Sequence, residues 1–349
     1  MNKSEQLYCD LKEQLVSCEP GSSFLTVRSI MDDFAVSQAT VSHAIQRLTE
    51  EGLLRRNGRR SMEVTEAVLR YRQGAKPVYC LALPRWPSEY YNMIEQCFMA
   101  QTEQLGYELE ILHYDWRERM PRELKFSKVD GLVIISSAVI TGKDVSDMDA
   151  LGIPYVIFGR FLPGLALHSV SNDEEYTGAL AAHHLYELGH RHLAVLHSEP
   201  EDEAMIARTK GFRQFAELHG CFVEVVDCDV RNGEIAVEKS YDFLKKYFQK
   251  NELQFTALFV LSDSTAFSVY QACYECGISI PDQLSVITCG EVWNLSYRAP
   301  ALTSIGIDHS RLVKESIRLL KKKNPDQFEH VQLKAELTVR ESTARVCFR

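Results

Sequence analysis

From residue 78 onward the chain alternates apolar runs of strand character with helical patterns, and this alternation limits the fold more than any other feature. The apolar runs form two groups around a break near residues 168–173: Val78–Leu83, Tyr107–His113, Gly131–Ile135 and Tyr155–Phe158, then His192–Leu196, Phe222–Val226, Ala257–Leu261 and Leu284–Thr288. The helical patterns include Glu89–Leu105, Glu174–Leu188, Glu203–His219, Glu234–Tyr247 and Ser264–Cys276. Strands that alternate with helices build parallel sheets, and ligands bind at the carboxyl ends of such strands. The sequence therefore predicts an α/β region of two lobes with a cleft between them.

The first 65 residues have a different pattern, in which three helices precede a hairpin. Helices are predicted over residues 4–17, 26–34 and 38–51, with Ser37 as the N-cap of the third. Two short helices joined by a tight turn are typical of a helix-turn-helix, whose second helix enters the major groove of DNA. Asn57-Gly58 is a strong hairpin signal between the strands predicted at 52–56 and 59–64. We therefore predict a winged helix-turn-helix over residues 1–65, a charged linker over 66–77, and a sensor over 78–349.

Positive charge is concentrated near this hairpin, although the whole chain has a net charge of −9. Five arginines and only two acidic residues lie between positions 47 and 60. A local concentration of this kind favours phosphate contacts, because charge acts over short distances; a solvated, charged hairpin is the alternative interpretation. The predicted DNA contacts are Arg28, Ser37, Gln38, Thr40, Ser42, His43, Arg47, Arg59 and Arg60. Among them, Gln38 begins the third helix and can pair with adenine.

The winged helix resembles the DNA-binding domain of the GntR family of bacterial regulators. The matching segments are residues 24–28, 36–41, 44–48 and 51–54. The resemblance implies that Arg28 and Ser37 meet phosphates or base edges. Leu25 stands where family members often have proline, and Gln38 and Ser42 stand where some have arginine. The resemblance therefore implies the fold and not a particular operator sequence.

The second region resembles the effector domain of the LacI/GalR family, which is related to periplasmic sugar-binding proteins. The resemblance rests on segments that occur in family order: Asp173, 181–185, 188–191, Arg208, 211–212, 262–263, Gly277, 280–282, 284–287, 302–303 and 340–343. It implies a periplasmic-binding-protein-like sensor in which the chain crosses between lobes near residues 170, 295 and 328. Lobe 1 is then expected over about 78–170 and 303–328, and lobe 2 over about 171–295 and 329–349. A GntR-type head on such a sensor resembles bacterial regulators of the arabinose-repressor type.

The resemblance implies an effector site that contains Arg208 and Asp263. A guanidinium and a carboxylate supply the paired donors and acceptors that a polyol requires. Tyr90 and Tyr91 stand where the family places aromatic residues beside the ligand, and packing at a helix start is the alternative for them. Ser136 and Arg160 follow predicted strands, and a surface ion pair is the alternative for Arg160.

Two departures from the family pattern bear on the ligand. Residues 288–291 read Thr-Cys-Gly-Glu where the family usually has Gly-Phe-Asp after Ser-Val-Ile, and Glu174 replaces a family asparagine. The loss of an aspartate and an aromatic residue affects either the hinge or the ligand selectivity. The sequence therefore does not name the sugar.

Enzymatic function is not predicted. The motifs GxSxG, HExxH, GxxxxGK[ST] and GxGxxG are absent. His183 and His184 are adjacent, so on a helix they point about 100° apart and cannot ligate a metal together. Cys273 and Cys276 form a CxxC without a second pair, which favours packing over zinc or redox chemistry. We therefore expect no cofactor and no metal.

These features together predict a cytoplasmic, homodimeric transcription repressor that binds operator DNA and a small sugar-like effector. No apolar run is long enough for a membrane span, and no secretory signal is evident. The missing signal and the winged helix argue against a free periplasmic binding protein. An aminotransferase-fused GntR regulator would need a longer chain. An activator, or a corepressor-type regulator with a nucleoside effector, remains the alternative.

Overall fold

The computed structural model describes residues 3–57, 61–72, 76–85, 88–118, 129–136, 139–290, 294–322 and 327–346. Within these ranges the chain forms a small head and two α/β lobes, each with its own sheet. The predicted winged helix-turn-helix followed by a two-lobed region with parallel sheets is confirmed. No helix in the described ranges is both long and apolar enough to cross a bilayer.

The head contains helices α1 (Lys3–Val16), α2 (Val27–Phe34) and α3 (Gln38–Glu50) with strands β1 (Ser23–Phe24), β2 (Leu54–Asn57) and β3 (Ser61–Val64). The strands pair antiparallel in the order β1-β3-β2. Leu7, Leu11 and Leu15 are buried on one face of α1, where they meet Val41 and Leu48 of α3 in one apolar cluster. Their spacing of four residues places them on one helical stripe, which is why the sequence pattern identified this helix.

Local hydrogen bonds cap the starts of α2 and α3, and a left-handed residue makes the turn between these helices. The Thr26 hydroxyl accepts from the Ser29 backbone N–H, and the Ser37 hydroxyl accepts from the Thr40 backbone N–H. Each bond satisfies a donor that a helix start leaves unpaired. Ala35 adopts a left-handed conformation at φ 51°, which ends α2 and redirects the chain.

The predicted linker is partly helical. Residues 67–72 form helix α4 (Ala67–Arg72), and Val68 is fully buried in the apolar cluster of the head. The charged composition of residues 66–77 concealed this helix, because only one short apolar stripe marks it. The connection between head and sensor therefore begins later than predicted.

Lobe 1 is built on a sheet that comprises six parallel strands among the described residues, in the order β14-β8-β7-β6-β4-β5. These strands are β4 (Val78–Pro84), β5 (Glu108–Tyr114), β6 (Gly131–Ile135), β7 (Tyr155–Phe158), β8 (His168–Asn172) and β14 (His330–Leu333). Helices α5 (Glu89–Leu105) and α11 (His309–Leu320) cover one face, and α6 (Gly142–Asp149) covers the other. Burial on both faces explains why the central strands are continuous apolar runs.

Lobe 2 has a second sheet in the order β10-β9-β11-β12-β13-β15, counted over the described ranges, with β15 antiparallel to the rest. Its strands are β9 (His192–His197), β10 (Phe222–Asp227), β11 (Ala257–Val260), β12 (Ser285–Cys289), β13 (Thr303–Gly306) and β15 (Glu336–Thr338). Helices α7 (Glu174–Glu187) and α8 (Glu203–Leu218) pack on one face, and α9 (Ala236–Lys250) and α10 (Asp263–Cys276) pack on the other.

Helices α7 and α8 touch backbone to backbone. A Cβ atom at Gly178 would lie 1.9 Å from the Arg208 carbonyl oxygen, and one at Gly211 would lie 1.9 Å from the Glu175 carbonyl oxygen. Only glycine fits at either position, because any side chain would collide with the facing backbone. This close contact places Glu174 and Arg208 side by side.

Two of the three predicted crossings between the lobes were wrong. The first lies between β8 and α7, as predicted near residue 170. The second lies between β13 and α11, because β13 pairs with β12 in lobe 2. The third lies between β14 and β15, because β14 pairs with β8 in lobe 1. Residues 303–306 and 330–333 thus belong to the lobe opposite the predicted one; both strands mix polar with apolar residues, so no apolar run marked them.

Candidate effector cleft and DNA-binding face

The candidate cleft lies where the strands of both lobes end. Lobe 1 contributes the first turn of α5, the residue after β6 and the residues after β7. Lobe 2 contributes the first turns of α7, α8 and α10, the residues after β9, and the end of β12. Because parallel strands end at a common edge, side chains from distant segments meet there.

Arg208 of α8 is engaged by a carboxylate from the neighbouring helix. Its Nε lies 2.5 Å from Glu174 Oε2, and its Nη2 lies 2.9 Å from Glu174 Oε1. Its Nη1 donates to the Leu261 carbonyl oxygen at 2.9 Å. The two side chains form a bidentate and largely buried ion pair, so Arg208 belongs to the protein's own hydrogen-bond network.

Tyr90 and Tyr91 begin α5 and lie on the lobe 1 side of this ion pair. Their ring centroids are 5.9 Å apart, and the Tyr90 ring is 5.6 Å from the His309 ring. Burial raises the pKa of both phenols, and for Tyr90 the nearby Glu174 carboxylate raises it further. Both tyrosines also pack on the lobe 1 core, so the helix-start alternative describes part of their role.

Arg160 bridges the two lobes. Its Nε and Nη2 donate to the Ser136 carbonyl oxygen at 3.2 and 3.0 Å, which ties the ends of β7 and β6 together. Its Nη1 lies 2.6 Å from Glu203 Oε2 in the first turn of α8. The Arg160 side chain is 11% exposed and the Glu203 side chain is 45% exposed, so this interlobe ion pair is buried on the arginine side and open to solvent on the carboxylate side. Ser136 contributes its main-chain carbonyl here.

Asp263 begins α10 and packs against Gly290. A Cβ atom at Gly290 would lie 2.3 Å from Asp263 Oδ2, and Gly290 has a φ of +111°. Gly290 stands where the family pattern has the aspartate of Gly-Phe-Asp. Gly290 therefore leaves room for the Asp263 carboxylate, because a side chain at position 290 would collide with it.

Glu199 follows β9 and adds a carboxylate that the sequence analysis did not select. Its Oε1 accepts from the Ser262 hydroxyl at 3.0 Å and from the Ser264 hydroxyl at 3.1 Å. Burial raises its pKa, the two hydroxyl hydrogen bonds oppose that rise, and the nearby carboxylates of Asp202 and Asp263 add to it. Its place directly after a predicted strand was the signal that could have identified it.

Five of the predicted DNA contacts that the structure describes in the helices of the head are exposed: Arg28, Ser37, Gln38, Ser42 and His43. Gln38 and Ser42 are exposed one turn apart on α3, so they share a helix face. Arg28 is exposed on α2. The Ser37 hydroxyl caps α3 and lies 2.9 Å from the Thr40 hydroxyl. Ser37 and Thr40 thus support the start of the recognition helix.

Two predicted contacts on α3, the half-buried Arg47 and the exposed His43, also interact with α1. The Arg47 guanidinium lies 3.8 Å from the centroid of the Tyr8 ring, and Tyr8 in turn hydrogen-bonds Glu51. His43 Nδ1 lies 3.0 Å from the Ser4 hydroxyl of α1. Both side chains therefore connect α3 to α1, which the basic or polar residue type alone did not reveal.

The wing presents exposed arginines on strand β2. Arg55 pairs with Glu63 of β3 at 2.8 Å, and its side chain is 71% exposed. Arg56, the next residue, is also exposed. The predicted contacts Arg59 and Arg60 lie outside the described residues.

Two family models match the chain. "Bacterial regulatory proteins, gntR family" matches residues 3–64, and "Periplasmic binding protein-like domain" matches residues 182–343. The chain thus joins a GntR-type DNA-binding domain to a periplasmic binding protein-like domain, and it is a DNA-binding transcription regulator. Both family resemblances drawn from the sequence are thus confirmed. Relatives such as DegA of Bacillus subtilis and AscG of Escherichia coli are named as HTH-type transcriptional regulators.

Relatives align with most of the regulator at low identity. The HTH-type transcriptional regulator DegA of Bacillus subtilis is 26% identical over 274 residues, covering 76% of this chain and 80% of DegA. The HTH-type transcriptional repressor PurR of Haemophilus influenzae is 23% identical over 342 residues, covering 92% of this chain and 99% of PurR.

Solved structures share the sensor fold of the regulator. A LacI family regulator from Enterococcus faecium with bound ribose superposes with a TM-score of 0.66 at 22% identity, over 77% of this chain and all of that one. The Escherichia coli transcriptional repressor AscG gives a TM-score of 0.65 at 21% identity, over the same shares. At these identities the similarity establishes the fold of the regulator.

Proposed function

We propose that the regulator is a repressor whose operator affinity is controlled by a small polyhydroxylated effector bound between the lobes. The observation that carries the proposal is the convergence of side chains from both lobes at the strand ends. Arg160 reaches Glu203 across the cleft, and Tyr90 lies beside the Glu174–Arg208 pair. Relatives named as repressors and a fold neighbour with bound ribose support this choice.

The chemistry of the cleft suits a polyol. Tyr90 and Tyr91 offer aromatic faces on which the C–H face of a sugar ring can pack. Asp263 and Glu199 offer carboxylate oxygens that accept hydrogen bonds from hydroxyl groups. In this proposal Arg208 positions Glu174 and donates to the ligand where the ion pair between them loosens. Ser136 and Arg160 set the width of the cleft.

Signalling follows from closure of the cleft. A ligand that contacts both lobes stabilises the closed arrangement, because the open arrangement lacks half of those contacts. Closure rotates one lobe relative to the other and changes the spacing of the two heads in a dimer. Two heads at the wrong spacing cannot both occupy a pseudo-palindromic operator. The effector therefore releases the DNA.

The proposed DNA contacts are the exposed side chains of the head. Gln38 and Ser42 on α3 face the major groove, where Gln38 reads a base edge. Arg28, Ser37 and the wing arginines, including Arg59 and Arg60, contact phosphates. Thr40 supports the cap of α3 through Ser37, whereas His43 and Arg47 connect α3 to α1.

We propose that the regulator is a homodimer in which lobe 2 supplies part of the interface. Tyr274 of α10 and Tyr297 of the 3-10 helix Leu295–Tyr297 are 82% and 81% exposed, and Ile235 is 61% exposed beside the start of α9. Exposed aromatic residues of this size favour a protein contact. Tyr274→Glu should shift the sedimentation equilibrium from dimer to monomer, whereas the control Tyr241→Phe on the neighbouring helix α9 should not. A wild-type protein that is monomeric at micromolar concentration with full operator affinity would refute dimerisation.

The test of the whole proposal starts with an operator selected from random DNA by the purified protein. Operator affinity is then measured by fluorescence anisotropy with and without each of a panel of sugars, sugar derivatives and nucleosides. We expect a polyhydroxylated compound to weaken operator binding in wild type and to have little effect on Asp263→Asn. A compound that tightens operator binding would indicate a corepressor mechanism. A ligand that stabilises both proteins equally would place the site outside the cleft.

A further inference from the structure

We infer that the effector carries a cationic group, an ammonium on a small polyhydroxylated molecule, and that the cleft disfavours phosphorylated ligands. The inference rests on the proposed function, since it concerns the chemistry of the same cleft. It follows from how the charged groups of the cleft are paired with one another.

The guanidinium groups that the described residues bring into the cleft are both neutralised. Arg208 is bound through two nitrogens by the Glu174 carboxylate, and its third hydrogen bond goes to the Leu261 carbonyl. Arg160 is bound by the Glu203 carboxylate and by the Ser136 carbonyl. A ligand phosphate would have to displace a carboxylate from one of these guanidiniums, and at the Arg208 pair the displaced Glu174 carboxylate would be left largely buried without its partner.

Carboxylates outnumber the arginines in the same space. Beyond Glu174 and Glu203, the carboxylates of Glu199, Asp202 and Asp263 lie close enough to influence one another electrostatically. The hydrogen bonds to Glu199 Oε1 come from two serine hydroxyls, which are neutral. This part of the cleft is therefore rich in acceptors and negative potential, which repels anions and attracts a cationic donor.

Asn172 gives a second and independent indication of a missing donor. It ends β8 at the crossing between the lobes and is 8% exposed. Its Nδ2 donates to Glu174 Oε1 at 3.2 Å, and because a carboxylate accepts only, this bond fixes the orientation of the amide. Its Oδ1 is buried, and no described residue donates to it. A buried acceptor without a donor is costly, so a ligand with hydrogen-bond donors is favoured beside the Glu174 pair.

Ammonium and hydroxyl groups together satisfy this arrangement. An ammonium has three donors and no acceptor, so it can bond to Glu199 and Asp263 without exposing either to a repulsive lone pair. The hydroxyl groups of the ligand can donate to Asn172 Oδ1, and its carbon skeleton can pack on Tyr90 and Tyr91. A neutral sugar leaves the excess negative charge in place, and a sugar phosphate increases it.

Matched ligands test the inference on the intact chain. Glucose, galactose and mannose are each compared as the neutral sugar, the 2-amino sugar and the 6-phosphate, with dissociation constants from isothermal titration calorimetry. We expect the amino sugar of at least one set to bind about tenfold or more tightly than both of its counterparts, because a charge-assisted hydrogen bond is stronger than a neutral one.

Variants connect this preference to the cleft. Glu199→Gln or Asp263→Asn should remove most of the preference for the amine, whereas Glu217→Gln, an exposed carboxylate on α8, should leave it unchanged. The inference is overturned if no amino sugar binds more tightly than its neutral counterpart, if a phosphate binds most tightly in its set, or if the preference survives both cleft variants.

Operator affinity, measured with the same compounds, separates this inference from the proposed function. A sugar phosphate that binds the cleft and releases the operator overturns the charge preference and leaves the ligand-controlled repressor standing. An amino sugar that binds with the expected preference but leaves operator affinity unchanged supports the charge preference and contradicts the control mechanism.

Discussion

The position of the Glu199 carboxylate in the cleft lowers the stability of the folded protein. The Glu199 carboxylate is largely shielded from solvent beside Asp202 and Asp263, and its pKa is raised chiefly by burial. A carboxyl whose pKa is higher in the folded state than in the unfolded state destabilises the fold once it ionises. Titratable residues whose pKa is shifted by burial are concentrated at functional sites. Glu199 therefore has the energetic character expected of a binding residue.

Glu199→Gln should accordingly stabilise the regulator. The amide keeps the shape and removes the buried charge, so we expect a gain on the order of 1 kcal/mol in the free energy of unfolding at pH 7. The gain should be complete above the raised pKa and should shrink as the pH falls toward about 4.3, where the unfolded-state carboxyl also binds a proton. Urea denaturation across this range checks the sign. Equal stability of Glu199→Gln and the exposed control Glu217→Gln at pH 7 would show that Glu199 carries no such penalty.

The residues that sequence reasoning missed are mostly acidic. Glu174 and Glu203 occupy first turns of helices, where a carboxylate is favourable for the helix itself. Their second role, binding Arg208 and Arg160, depends on which helix lies opposite, and a local pattern does not contain that information. Arg160 and Arg208 were selected from strand position and family resemblance, and their partners became visible only in three dimensions.

At the level of elements, strands that are continuous apolar runs were predicted to within a few residues, while strands that mix polar and apolar residues were not. The pattern for α5 gave the bounds Glu89–Leu105 that the structure has, and that for β6 gave Gly131–Ile135. Strand β13, with the sequence Thr-Ser-Ile-Gly, has too few apolar residues to stand out. It is a strand because β12 and β15 pair with it on both sides, which is a tertiary effect.

The contact between α7 and α8 gives a direct test of how this element pair positions the cleft. Gly178→Ala would place a Cβ 1.9 Å from the Arg208 carbonyl oxygen, so the helices must separate. We expect a loss of about 1–3 kcal/mol in the free energy of unfolding, with weaker effector binding because Arg208 moves relative to Glu174. Gly142→Ala in the first turn of α6 is the control, since its Cβ would meet nothing within 4 Å. If both variants unfold at the same urea concentration, the helices do not need this close approach.

The recognition helix α3 has one face that we propose contacts DNA and one face that packs on the apolar cluster of the head. Gln38→Ala should relax sequence preference at one operator position, at a cost of about 1–3 kcal/mol for the preferred base. Gln46→Ala is the matched control, because Gln46 is exposed on the same helix and bonds to Glu50. Both variants are compared by selection from a randomised operator. An unchanged base preference for Gln38→Ala would remove this residue from the base-reading set.

At the scale of the whole molecule, the interlobe ion pair connects ligand binding to DNA binding. Arg160 and Glu203 attract the lobes toward each other, and the effector favours the same closed arrangement. Any bond that stabilises closure therefore strengthens effector binding and weakens operator binding. Linkage requires that the two affinities change in opposite directions for a repressor released by its ligand.

Glu203→Gln tests this linkage. Removing the charge of Glu203 should shift the population toward the open arrangement by about 1 kcal/mol, since Arg160 is largely buried while Glu203 is partly exposed. Effector affinity should then fall about fivefold, and operator affinity without effector should stay the same or rise. Glu217→Gln, which breaks an ion pair within α8, should change neither affinity. If Glu203→Gln lowers both affinities together, the effector and the operator favour the same arrangement of the lobes, and the regulator acts with a corepressor instead of an inducer.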